Sequence, residues 1–159
     1  MSLGQRVTSD HQLARLLQIG MVLEEVVEAR ALRHADELSG ADGKTRRLLS
    51  EAAEESAEHR RLLAELLDEL DAGSVPYEEV ERLVEERYAA TTDSDGLLYD
   101  QLCNEETAYK FYDDLVDALE ASEVTFSVDR DRVLGTLRTI RADEEAGVEA
   151  VTRLMERQE

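Results

Sequence analysis

"LLSEAAEESAEHRRLLAELL", Leu48 to Leu67, is the stretch on which the fold turns. Its leucines return every three or four residues, the spacing of one buried helix face. Glu55 and His59, one helical turn apart, fall on that same stripe. A carboxylate and an imidazole are costly to bury alone. The stretch therefore predicts a core helix whose polar members must meet something from other helices.

The rest of the chain has the composition to supply such helices. Its 159 residues suffice for one domain with a real core and are too few for two comfortable ones. With 42% hydrophobic residues it is no disordered acidic tail. There is one proline, Pro76, and alanine, leucine, glutamate and arginine, all good helix formers, dominate. Helix 1 is predicted from Ser9 or Asp10 to Leu38, before "SGADG", and helix 2 from Lys44 to Leu70. A short helix, "PYEEVERLVEERYAA", starts at Pro76, which suits a first helical turn. Helix 3 is predicted from Leu97 to Ala121 and helix 4 from Asp129 to Glu156. Two hairpins joined by a long connection with a short extra helix make a single all-α domain over residues 1–159. This is the ferritin-like four-helix bundle with one crossover, and its rival is an up-down bundle with an added helix.

The charge is lopsided, with 38 acidic against 18 basic residues and a net charge of -20. Only Lys44 and Lys110 are lysines. A carboxylate-rich surface that avoids lysine suits a salt-saturated cytosol, where screening relieves self-repulsion. A halophilic, archaeal, cytoplasmic protein is expected, and nucleic acid is not expected as a partner because phosphates would be repelled. Cys103 is alone, so there is neither a disulfide framework nor a Cys-x-x-Cys metal motif. The longest uncharged run, Leu16 to Leu23, is far too short for a membrane span, and no leader peptide is read.

Placing each helix on a wheel shows which polar groups share the apolar arc. In helix 3, Leu98, Leu102, Tyr109, Tyr112, Leu115, Val116 and Leu119 mark the arc, and Glu105 lies near its centre. In helix 4 the arc is Val133, Leu137, Ile140, Val148, Val151 and Met155, centred on Glu144. In helix 2, His59 sits among Leu48, Ala52, Leu62, Leu63, Leu66 and Leu70, with Glu55 beside it. In helix 1, Leu13, Leu16, Gly20, Leu23, Val27, Ala31 and Leu38 form the face, with Glu24 in it and Glu28 on its flank. Depth agrees: Glu105 is about 16 residues before its hairpin turn and Glu144 about 15 after it, and Glu24 and His59 are each about 15 from theirs. Four glutamates and a histidine thus share one layer. Carboxylates so crowded must take up protons or share a cation, and oxygen ligands with a neutral imidazole suit iron or manganese.

The same residues resemble the ferritin-like superfamily, rubrerythrins above all. "EETAYKFYDDLVDALE" looks like that family's Glu-x-x-Ala-x-x-Phe-Tyr helix, with Glu105, Ala108, Phe111 and Tyr112 in the matching positions. "LLSEAAEESAEHRRLLAEL" looks like the helix with its Glu-x-x-His pair, and "IRADEEAGVEAVTRLM" like the second copy. The resemblance implies a di-iron centre with bridging glutamates, an oxidoreductase of ferroxidase or peroxidase type, and a separate electron donor. The pattern departs at two places: Ser56 stands where the first pair needs glutamate, and Gly147 where the second needs histidine.

The sequence reading therefore names Glu24, Glu55, His59, Glu105 and Glu144 as metal ligands for iron (di-iron) or manganese. Glu28 and Tyr112 are possible supporting groups. Arg141 or tyrosine hydroxyls are the alternative partners of the buried carboxylates. His34 is expected in the core near the first turn, His11 outside, and Cys103 away from any histidine. The activity expected is oxidation of ferrous ion or removal of peroxide or oxygen, in a homodimer or higher homo-oligomer without membrane contact. The alternative is a catalytically degenerate bundle serving as a structural or interaction protein.

Overall fold

A computed structural model describes residues 7–38, 43–70, 82, 96–122 and 125–157. Among these residues there are four long helices and no strand: α1 Asp10–Glu37, α2 Gly43–Glu69, α3 Leu97–Glu120 and α4 Arg130–Arg157. Each starts close to the predicted residue. The helix expected from Pro76 lies, apart from Arg82, outside the described residues.

The helix ends follow from local chemistry. Ser9 caps α1: its Oγ accepts from the Gln12 amide at 3.2 Å, while the Gln12 side chain accepts from the Thr8 amide at 2.7 Å. Two amides at the helix start thus gain acceptors, much as in a capping box, but the return bond falls on Thr8 and not on the capping Ser9. At the start of α4 the Asp129 side chain accepts from the Asp131 amide at 3.1 Å, a single cap bond. Before α3 stands Gly96, at φ 134° and ψ 161°, a conformation closed to side-chain-bearing residues. The Arg130 guanidinium donates to the carbonyls of Leu119 and Glu120 at the end of α3, where the helix dipole favours a cation.

Side-chain pairs set the helix directions. His34 meets Asp100 and Arg30 meets Asn104, so α1 and α3 are antiparallel. His59 meets Asp143 and Glu69 meets Arg132, so α2 and α4 are antiparallel as well. Within each hairpin, α1 packs along α2 and α3 along α4. Around the bundle the order is therefore α1, α2, α4, α3. Leu97, at the start of α3, packs with Ala31, Leu49 and Ala53 near the turn between α1 and α2, the end of the bundle farthest from Leu70. Residues 71–95, between these ends, are outside the described residues except for Arg82.

The core differs along its length. Toward the start of α1 it is apolar, with Leu13, Leu17, Leu63, Leu66, Leu115, Leu119, Leu137 and Ile140 almost fully buried. Burying each such side chain contributes about 1.5–3 kcal/mol, before the entropy of ordering it. Toward the α1–α2 turn the interior holds small residues and polar pairs instead: Ala31, Ala53, Arg30, His34, Asp100, Gln101 and Asn104. The mid-bundle carboxylates sit where one half gives way to the other.

Three faces are rotated from the wheel reading. In the first half of α3, Asp100, Gln101 and Asn104 point inward, whereas Leu98, Leu102 and Tyr109 are only partly buried. In α2, Leu49 and Ala53 are inside in place of Leu48 and Ala52. Near the end of α4, Leu154 takes the place expected for Met155.

Candidate metal centre

One histidine organises the layer. His59 is 1% exposed, on the second half of α2, and both ring nitrogens face carboxylates. Its Nδ1 lies 3.2 Å from Glu24 Oε1 on α1 and 3.1 Å from Glu144 Oε1 on α4. Its Nε2 lies 2.9 Å from Asp143 Oδ2 and 3.8 Å from Glu55 Oε1. Two donor sets thus share the ring: Glu24, His59 and Glu144, all buried, and Glu55, His59 and Asp143, nearer solvent.

Neighbouring side chains hold these carboxylates. The Tyr112 hydroxyl donates to Glu24 Oε1 at 2.7 Å, and an edge-on contact with Phe111, 5.2 Å between centroids, holds the Tyr112 ring. Glu24 Oε2 is buried without a hydrogen-bond partner. The Gln101 side-chain amide donates to Glu105 Oε1 at 3.0 Å. Glu105 lies flat against α4: a Cβ at Gly147 would come within 2.6 Å of its Oε2. The glycine therefore makes the space that the carboxylate occupies.

Electrostatics follow from this crowding. Burial alone would lower the pKa of His59, but bonds to Glu144, Glu24 and Asp143, with the charge of Glu24, raise it to about 11. Burial raises Glu144, helped by the charges of Glu24 and Glu105 and opposed by the bond to His59. Burial also raises Glu105, against hydrogen bonds from Glu144 and Gln101. Glu55 is pushed up to about 7 by burial, with His59 pulling the other way. The crowding thus favours the protonated forms of His59 and of the Glu105–Glu144 pair, which offsets part of the layer's negative charge.

The structure therefore gathers Glu24, His59 and Glu144, sets Glu105 beside Glu144, and leaves Glu55 at the rim of His59. Glu28 belongs elsewhere, with Arg60 at 2.8 Å. Arg141 pairs with Asp113 and not with the buried glutamates, whereas Tyr112 does hold Glu24. His34 is buried beside Asp100 at 2.5 Å, and His11 and Cys103 are exposed. Sequence reasoning overlooked Asp143 and Gln101. Gln101 was signalled by lying four residues before Glu105, on the same face. Asp143 required depth to be matched between hairpins, α2 against α4, and not only within each.

The donor set can be tested against the metal that the sequence suggests. Carboxylate oxygens and one imidazole nitrogen suit iron or manganese, and Glu24 Oε2 is a buried acceptor with no hydrogen-bond donor among the described residues. Ser56 is buried and Gly147 has no side chain, so neither supplies what a second ion would need. The residues fit one ion, on the Nδ1 side of His59. Compared with known proteins, the chain matches no protein-family model, no curated protein and no solved structure.

Proposed function

We propose that this chain is a ferritin-like four-helix protein that binds one iron or manganese ion with Glu24, His59 and Glu144, and that it acts on ferrous ion, peroxide or oxygen. One observation carries the reading: three buried donors from three helices, each offering one atom, lie within 4.8 Å of one another. The helix directions support a ferritin-like crossover, since the end of α2 and the start of α3 lie at opposite ends of the bundle. A bound iron or manganese would supply one-electron exchange with oxygen or peroxide. Once deprotonated, Glu24 and Glu144 would bring negative charge and His59 its Nδ1, while its Nε2 would stay with Asp143, the carboxylate–histidine pairing that fixes a ligating ring. Tyr112 orients Glu24, and Glu105 accepts a hydrogen bond from Glu144. A salt-rich cytoplasm, a homodimer and a separate electron donor belong to the same proposal.

A second reading has its own observation. Ser56 and Gly147 break both ligand pairs, and the bonds that His59 makes to Glu24, Glu144 and Asp143 already offset part of the cluster's charge. A degenerate bundle with a structural or interaction role follows from that. Anaerobic reconstitution with ferrous ion, then elemental analysis and thermal melting of the parent and of Glu144→Leu, separates the two. The metal reading expects about one ion per chain and a metal-dependent rise in melting temperature, both lost in the variant. No bound metal in the parent, with Glu144→Leu more stable than the parent, would establish the degenerate bundle.

A further inference from the structure

In so acidic a chain a cation finds a partner easily. Arg60, Arg61, Arg132, Arg138 and Arg141 all pair with carboxylates. Lys44, Arg47 and Arg157 have no ion-pair or hydrogen-bond partner among the described residues, yet they line the same mouth. Arg153 joins them, 3.6 Å from Glu149. The mouth opens a groove of about 580 Å³ between the first half of α2 and the last half of α4. Its walls are Leu48, Ala52, Val151 and Leu154, and Glu51 is the one carboxylate along its outer part. Its floor is the metal centre's own edge: Glu55, Glu105, Asp143 and Gly147. The groove exists because the residues facing across this half of the α2–α4 contact are too small to fill it.

We infer that the groove binds a small aliphatic carboxylate, its head on the Lys44, Arg47, Arg153 and Arg157 cations and its chain directed inward toward Glu105. Charge fixes that orientation, because the acidic floor repels the head that the basic mouth attracts. The apolar walls favour a hydrocarbon chain over a compact anion such as phosphate. From Arg157 to Gly147 the helix rises ~15 Å, so the ligand is a medium-length chain and not acetate. Binding in the groove is independent of the metal proposal; that the inner end of the chain meets a metal rests on it.

The test is calorimetric titration of the metal-free full chain, kept in chelator, with decanoate, decylamine and inorganic phosphate. Decanoate is expected to saturate at one per chain, with the other two at least tenfold weaker. Arg47→Glu combined with Arg153→Glu should weaken decanoate at least tenfold, and Ala150→Trp, which fills the groove, should abolish its binding. All three positions are exposed, so helix content by circular dichroism should be unchanged. Non-saturable decanoate, equal binding of decylamine or phosphate, or variants that bind decanoate like the parent would overturn the inference. Saturable decanoate in a protein that takes up no ferrous ion keeps the groove and sinks the metal proposal. Bound iron without decanoate binding does the reverse.

Discussion

At Gly147 backbone and carboxylate compete for one volume. An alanine there would help the helix by about 0.5–1 kcal/mol, but its Cβ would displace the Glu105 carboxylate, a buried group bonded to Gln101. Gly147→Ala is therefore expected to leave the metal-free melting temperature within a few degrees of the parent while weakening metal affinity about 10- to 100-fold. Parallel melts and metal titrations of the two proteins check this, and unchanged affinity would place Glu105 outside the metal's surroundings. Most of the cluster was legible in the sequence at this scale, because glutamate and histidine on apolar stripes are conspicuous. What the stripes hid was the company they keep. Asp143 is half-exposed, and Gln101 carries no charge to draw the eye.

For the elements, boundaries were legible because their causes are local: a serine cap, an aspartate cap and glycines between periodic runs. The inward face of α3 was not. Wheel reasoning weighs apolar residues, and the first turns of α3 bury Asp100, Gln101 and Asn104 against Arg30 and His34 of α1. Only the partner helix makes those residues interior ones. The start of α3 gives a sharp test, since Gly96 is at φ 134°. Gly96→Ala should destabilise the protein by about 1–3 kcal/mol in urea unfolding, although nothing lies within 4 Å of the added methyl. A neutral result would mean that α3 starts differently.

For the molecule as a whole, proton uptake on folding is the dominant expectation. His59 rises from 6.5 to about 11, so the stability from its imidazolium bonds is complete below about 6.5 and is lost as pH climbs toward 11. Glu55 rises from 4.5 to about 7 and Glu144 rises too, so each also favours the folded state at low pH, with loss beginning above about 4.5. All three act in the same direction. In chelator and molar salt, the melting temperature should fall steadily from pH 5 to pH 9. With metal bound the slope should flatten or reverse, because ligands must release protons to bind. Melting curves across that range decide it; a metal-free curve that rises with pH would mean His59 is buried neutral.

The hydrogen bond from Tyr112 to Glu24 also has an optical consequence. The chain has five tyrosines and no tryptophan, so its ultraviolet emission is that of tyrosine alone. An excited phenol is a stronger acid than its ground state, and a carboxylate oxygen at 2.7 Å is ready to take its proton. Tyr112 should therefore be nearly dark, Tyr112→Phe should dim the protein little, and Glu24→Gln should brighten it. A brightness change on adding a closed-shell cation such as zinc would then report the occupancy of one buried oxygen without any added dye.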